Sequence, residues 1–440
     1  MRTISIIKLK RLPILFLVVF LVYNLNFRET SSGDTIPTRF LPISILHEFN
    51  LDLDEFPGLY NTPTNRDYLY IQNVKGHWFS SYPIVSAILA VPIYAPFVMA
   101  GIELDGRGID ILSKLSSSAI IALSVIFIFI TLKLLIQENT ALQIALLYAF
   151  ATSNWSVSSQ GLWQHVTVEL LLSIAVYFLV RGKKEKKFIF WASPFLALAV
   201  AARTSVVLIA GIIFLYVLIN HRKEAIKFAI PAIIIAILLF SYNLYYFGEL
   251  TGGNVRLEKR MFELKGGTTW TANFLPGLAG LLISPSRGLL THSPFLIFSF
   301  AGIYYVFKQK KELYKYIALS SILYIIFFSF YTGWHGGFTY GYRYLLDILP
   351  LLCLFLAFSI EKVLTSSRLK LIFVFLVLFS LFVQFVGFLN YPSDWNTFPA
   401  SIEARPERLW DIMDNQIIRC VKNGSRFPLF LKSYYDNFPY

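Results

Sequence analysis

The sequence predicts an all-α, multi-pass membrane protein of about eleven transmembrane helices with a long first outer loop. Three observations carry this. Hydrophobic residues fill 56% of the 440 positions and charged residues 15%, where a soluble domain has roughly half and a quarter. Apolar runs approaching the roughly 20 residues that cross a bilayer recur along most of the chain. Basic residues collect in short clusters between those runs, as in cytoplasmic loops. The net charge of +13 is therefore spread over loops and not gathered on a nucleic-acid-binding face, so no nucleic-acid partner is expected.

The candidate spans are 12–27, 115–136, 141–153, 164–181, 188–203, 204–219, 228–247, 291–307, 316–332, 344–360 and 371–390. The first follows Arg2, Lys8, Lys10 and Arg11 and precedes no small-residue cleavage site, which makes it a retained helix. Basic clusters at the N-terminus, 181–187 (RGKKEKK), 221–227, 308–315 and 361–370 mark the cytoplasmic side. The chain must then cross twice between 187 and 221, with Arg203 and Thr204 at the outer turn. The run 83–102 is apolar enough to span, but crossing there would move every later basic loop outside. It contains Pro83, Pro92 and Pro96, which break helical hydrogen bonding, and is expected to lie in the outer leaflet. The same holds for 275–290. The expected organisation is a membrane domain over 1–390, in which 28–114 is the first outer loop with its membrane-surface helices, and a short outer tail over 391–440. The two cysteines, Cys353 and Cys420, make no disulfide framework.

With this topology the polar side chains collect at the outer face. Gly33-Asp34-Thr35 follows the first helix. An aspartate there is either a helix cap or, in a partly dry site, a general base. Asp52, Asp54 and Glu55 form either a solvated acidic face or oxygen ligands for a hard cation. The segment 154–169 (NWSVSSQGLWQHVTVE) sets His165 and Glu169 on one helix face, Glu169 about one turn inside the membrane, where a carboxylate is costly. Trp163 is an interfacial belt residue or a sugar-stacking one. In 334–350 (WHGGFTYGYRYLLDILP), Arg343 and Asp347 share a face, as an internal ion pair or with Arg343 gripping a phosphate. Arg203 is a second phosphate candidate, and snorkelling to headgroups is the plain alternative for both. SPSRGLLTHSP, over 284–294, places Arg287 and His292 just before a span, like a loop folded over a site. No nucleotide-binding glycine loop is present.

These segments resemble the GT-C superfamily of membrane glycosyltransferases, most of all the dolichyl-phosphate-mannose–protein mannosyltransferases and the lipid A aminoarabinose transferase. The resemblance runs through GDTIPTRFLPISIL, SYPIVSAILAVPIY, LAVAARTSVVLI, SPSRGLLTHSP and GYRYLLDILP and covers most of 12–390. It implies transfer of a sugar from a polyprenyl-phosphate donor to a protein, lipid or glycan acceptor at the extracytoplasmic face of a plasma or inner membrane. Asp34 takes the role of catalytic base, and Arg203 and Arg343 hold the donor phosphate. Arg39, Trp163, His165, Glu169, Arg287, His292, Trp334, His335, Tyr342 and Asp347 line the substrate site. Many relatives carry a second acid after the catalytic aspartate, whereas this chain has Thr35. Some relatives use a divalent metal. His47, Asp52, Asp54 and His77 have suitable side chains, and no metal ligand is assigned. A transporter or flippase for a lipid-linked substrate, or a non-catalytic subunit of the same fold, are the rival readings.

Overall fold

The structure is a computed structural model and describes residues 11–30, 32–60, 70–264, 269–391 and 393–422. The basic residues Arg2, Lys8 and Lys10, and 423–440 of the expected outer tail, lie outside these residues. The chain is mostly helical. Its helices are α1 (Arg11–Asn24), α2 (Ile36–His47), α3 (Val85–Met99), α4 (Gly106–Leu132), α5 (Glu138–Phe150), α6 (Gln164–Gly182), α7 (Lys187–Ala202), α8 (Val207–Asn220) and α9 (Arg222–Phe247). There follow α10 (Gly252–Leu264), α11 (Phe274–Ile283), α12 (Leu289–His292), α13 (Ile297–Lys308), α14 (Glu312–Ser329), α15 (Leu349–Thr365), α16 (Ser367–Asn390) and α17 (Gln416–Lys422). Among the described residues, six segments are long and apolar enough to cross a membrane: α4, α6, α9, α14, Arg343–Thr365 and α16. Six further apolar helical segments are shorter. Length and composition alone thus support six of the roughly eleven expected crossings.

The basic clusters meet at one end of the bundle. Lys183 lies 4.7 Å from the Tyr314 ring, Lys311 4.8 Å from Phe358, and Lys362 4.0 Å from Tyr305. Arg11 at the start of α1 and Lys133 just past the end of α4 share Glu138, the first residue of α5. The other end receives the C-terminus of α1 and the N-terminus of α4. There Ser118 donates to Asn24 at 3.3 Å, and Ser113 reaches Glu29 at 3.5 Å. Residues 25–105 therefore leave the bundle and return to it at a single end. Within them α3 keeps Pro92 and Pro96 inside its helix and lies beside the first turns of α4 and α6, with Tyr94 bonded to the Ile109 carbonyl and Ser86 to Thr167.

The same loop carries a feature an all-α expectation omits. Strands β1 (Ile71–Val74) and β2 (His77–Ser80) pair antiparallel across Lys75-Gly76. Both turn residues have positive φ, 56° and 94°, the backbone of a tight two-residue hairpin whose twist matches its strands. Asp105 starts α4 as its N-cap, accepting the Gly108 N–H at 2.8 Å.

Helix α6 is buried on nearly all sides, while α9 leaves Ile226, Ile230, Ile233, Ile234, Ile237 and Leu238 exposed. Such a stripe is stable only where acyl chains replace water. Inner contacts use small residues, as membrane helices do. A Cβ on Gly302 of α13 would strike the Phe355 carbonyl oxygen of α15, whereas one on Gly211 of α8 would meet open space.

These two glycines should respond with opposite sign. Gly302→Ala is expected to cost about 1–3 kcal/mol by overpacking against backbone. Gly211→Ala should gain about 0.5–1 kcal/mol by removing helix-interior glycine entropy. Thermal melts of the two purified variants check this, and equal responses would refute the packing assigned to Gly302.

Candidate active site

The site is built where the first loop meets the start of α6. After α1 the chain is pinned by the Thr30 N–H bond to the Gln160 carbonyl, 2.6 Å. Gly161 allows the close approach, since a Cβ there would come within 2.7 Å of the Thr30 oxygen. The next turn fixes Asp34. Thr35 Oγ1 donates to the Ser32 carbonyl at 2.9 Å and accepts the Ser32 N–H at 3.1 Å. Asp34 Oδ1 accepts the Ser32 hydroxyl at 2.8 Å. Helix α2 has no side-chain cap, so Asp34 is not the cap its position suggested. Its other oxygen pairs with Arg343 Nη2. A Cβ on Gly33 would enter the Tyr70 ring, so that ring lies on the backbone beside Asp34.

Arg343 opens a 3-10 turn, Arg343–Ile348, behind a glycine-rich loop. In that loop Gly336, Gly337 and Gly341 take φ of 80°, 64° and 67°, values side chains resist. Besides Asp34, Arg343 donates through Nη1 to the Gly336 carbonyl at 3.3 Å and through Nε to His165 Nε2 at 3.4 Å. Its guanidinium lies 4.7 Å from the Trp163 ring and 5.8 Å from Tyr344. A guanidinium only donates, so His165 Nε2 accepts and its Nδ1 carries the hydrogen. That N–H is 2.8 Å from Asp347 Oδ1. Asp347 Oδ2 accepts the Tyr324 hydroxyl and lies 2.8 Å from Arg203 Nε. Tyr324 and Ser205 hydroxyls are 3.0 Å apart. Arg203 has extended backbone between α7 and the next helical turn, and Phe328 and Tyr344 rings lie 5.6 and 5.5 Å from its guanidinium.

A continuous chain of contacts therefore runs Asp34–Arg343–His165–Asp347–Arg203. Two arginines balance two aspartates. Asp347 and His165 are sealed beneath, at 0% and 1% side-chain exposure, while Asp34, Arg343 and Arg203 reach the surface at 9%, 14% and 13%. An arginine pair beside a reachable carboxylate suits a substrate with an anionic leaving group.

The other expected lining residues divide. Trp163 and Asp347 belong to this chain with His165. Glu169 does not, although it shares a helix face with His165. It is buried one turn deeper and accepts from Tyr148 at 2.8 Å and Ser158 at 2.6 Å. Arg39 pairs with Asp110 and lies 3.9 Å from Glu29. Arg287 is a buried clamp on the Thr339 and Gly337 carbonyls and on Asn396 at 2.5 Å. His292 bonds the Gly288 carbonyl at 3.1 Å and meets the edges of Tyr340 and Tyr342. Tyr342 bonds Ser293 at 2.7 Å and the Ser153 N–H at 3.1 Å. Trp334 packs on Gly280 and towards Trp410, and His335 Nδ1 accepts the Gly337 N–H at 3.4 Å. Tyr324 and Tyr70 join the site without a signal in the sequence, because each arrives from a segment distant in the chain, and Ser205 joins it from the turn that holds Arg203.

Among the described residues, three ligand-type side chains come together only at Asp52, Asp54 and His77, with one ligand atom from each within 4.8 Å of the others. His77 Nδ1 is 2.6 Å from Asp54 Oδ2, and Asp54 Oδ1 accepts the Trp78 N–H at 2.7 Å. Glu55 and His47 are not in this group. The bond from Asp54, then its charge, raises the His77 pKa from its ordinary value.

Solved structures with this fold exist. The oligosaccharyltransferase of Archaeoglobus fulgidus in complex with Zn and sulfate matches with TM-score 0.56 and 13% identity, over 85% of this chain and 53% of that one. Its apo form gives 0.54 and 12%, over 86% and 55%. AglB from the same archaeon, in complex with an inhibitory peptide and a dolichol-phosphate, gives 0.50 and 12%, over 87% and 56%. The chain spans about half the length of these proteins, and at such identity the likeness is one of fold. No protein-family model and no curated protein sequence matches the chain.

The raised His77 pKa has a pH signature. The charged His77–Asp54 pair is complete below the ordinary histidine value and is lost as pH climbs through the raised one. An NMR titration should place the His77 midpoint above about 6.5, and Asp54→Asn should return it there. A midpoint indifferent to Asp54→Asn would remove the pairing.

Proposed function

We propose that the protein is a glycosyltransferase that moves a sugar from a polyprenyl-phosphate donor to an acceptor at the extracytoplasmic membrane face, with Asp34 as general base. The observation that carries this reading is the contact chain joining a reachable aspartate to two reachable arginines at the end of the bundle opposite the basic clusters. The fold supports it, since a protein sharing that fold is described with a bound dolichol-phosphate. The positive-inside rule supports the orientation, as the clustered lysines and arginines favour the cytoplasm.

In this mechanism the acceptor hydroxyl attacks the anomeric carbon and its proton passes to Asp34. The bond from the anomeric carbon to the phosphate oxygen breaks, and its electron pair stays on the phosphate, which becomes a monoester with an added negative charge. Arg343 and Arg203 stabilise that charge in a partly dry site. The displacement inverts the anomeric centre. The Asp347 carboxylate fixes His165 and Arg203 and takes no part in proton transfer. The donor carries one sugar, as in the mannosyltransferase and aminoarabinose transferase relatives that the sequence resembles.

The test uses deletion of the gene in its host, with surface glycoconjugates compared by mass spectrometry. One sugar should disappear and return with the wild-type gene. Asp34→Asn is expected to lower transfer about 10²–10⁴-fold and Arg343→Ala about 10²–10³-fold, with melting curves showing that each variant is folded. Restoration by Asp34→Asn, or a surface unchanged by deletion, would overturn the assignment and favour a transporter.

A further inference from the structure

The occupancy of Arg343 deepens the glycosyltransferase reading and bears on function only where that reading holds. Three of the five guanidinium N–H groups already have a partner: Asp34 on Nη2, the Gly336 carbonyl on Nη1 and His165 on Nε. Aromatic rings of Trp163 and Tyr344 lie against the group. A phosphate held by the planar fork uses two adjacent N–H groups and the single positive charge behind them, and here a carboxylate already takes that charge. The neutral acceptors sit at 3.3 and 3.4 Å, where hydrogen bonds are weak. Asp34 is the partner that balances the arginine's charge.

We propose that the Asp34 carboxylate occupies the seat of the donor phosphate, and that the arriving phosphate displaces it and thereby frees the base. Arg343 holds one anion or the other. A phosphodiester carries a single negative charge, so the exchange keeps the arginine paired one to one. The site is then ordered: donor first, acceptor second, because the carboxylate is committed to Arg343 until a phosphate takes its place.

The two aspartates of the site differ in a way that selects which pair opens. Asp347 has no exposed side-chain surface and is held by His165, Tyr324 and Arg203 together. Asp34 is at the rim, and apart from Arg343 it is held by the hydroxyl of Ser32 in its own turn. Releasing Asp347 would strand a buried, unpaired charge. Releasing Asp34 moves a carboxylate towards water. The Arg203–Asp347 pair therefore stays, and the Arg343–Asp34 pair is the latch.

Equilibrium binding of a radiolabelled polyprenyl methyl phosphate, a singly charged phosphodiester, to the full chain in nanodiscs tests this, with the uncharged polyprenol as control. Asp34→Asn and Asp34→Ser should each bind the phosphate about tenfold to a hundredfold more tightly than wild type, the range of ordinary coupling between sites. In an Arg343→Gln background, where Arg203 remains, the same changes should leave affinity unaltered. Wild-type affinity in the Asp34 variants overturns the latch. Equal tightening in both backgrounds overturns it too, since that is charge repulsion acting without Arg343. Either result leaves the transferase reading in place. A wild type that binds phosphate and polyprenol alike removes both. Melting curves within a few degrees of wild type confirm that each variant is folded.

Discussion

The carboxylate of Asp347 is the constraint on which the site depends. It has no exposed side-chain surface, and an unpaired charge in such a place costs several kcal/mol. Its partners come from three directions: His165 at the start of α6, Arg203 at the break between α7 and the turn before α8, and Tyr324 on α14. Each must be in place for the charge to be tolerated, so one side chain sets the mutual position of four segments. The break between α7 and α8 is part of this. A continuous helix would carry Arg203 past the carboxylate, whereas its extended backbone turns it inward.

His165 extends the constraint to the surface. Its Nδ1–H is spent on Asp347, which leaves Nε2 as an acceptor for Arg343. Arg343 is thereby oriented by a group that is itself oriented, as catalytic groups held in place by further hydrogen-bonded side chains are. A lysine would be a poor substitute at position 343. Its single ammonium cannot meet His165, the Gly336 carbonyl and Asp34 from three fixed nitrogens of one plane, nor stack flat on Trp163. The glycine-rich loop serves the same end. Its three left-handed backbones fold 336–341 tightly enough to bring the Gly336 carbonyl to the arginine.

Much of the architecture was legible in the chain because lipid imposes it. Each of the eleven apolar runs overlaps a helix, and the basic clusters around Lys183, Lys311 and Lys362 meet at one end. The β-hairpin was not legible, since Lys75-Gly76 is not one of the pairs that mark a two-residue hairpin turn and its positive φ values appear only in the fold. Pairings were harder. Arg343 and Asp347 are four apart, and helical spacing would join them. The 3-10 turn they occupy changes that spacing, and each instead finds an opposite charge from elsewhere, Asp34 and Arg203. His165 and Glu169 keep their shared face, yet one turn of depth gives them different neighbours. Arg287 was grouped with the site because it lies in a proline-bounded loop. Its partners Thr339, Gly337 and Asn396 are 50 to 109 residues away, and nothing local announces them.

Arg39 and its neighbours form a second charged network where the first loop joins α4. Glu29, Arg39, Asp110 and Lys114 are all buried where the first loop joins α4, and Lys114 Nζ bonds Gln160 at 2.6 Å. Gln160 also accepts from Asn26 at 2.7 Å, and its carbonyl receives the Thr30 N–H. These contacts tie both chain segments that leave α1 and α5 to α4, four to eight residues before Asp34. Replacing such a network by apolar residues often stabilises a protein, so stability alone is a weak reason to keep it. Hydrophobic contacts are non-directional and would let the loop slide. Charged pairs with fixed partners register it, and the register decides whether Asp34 meets Arg343 or water.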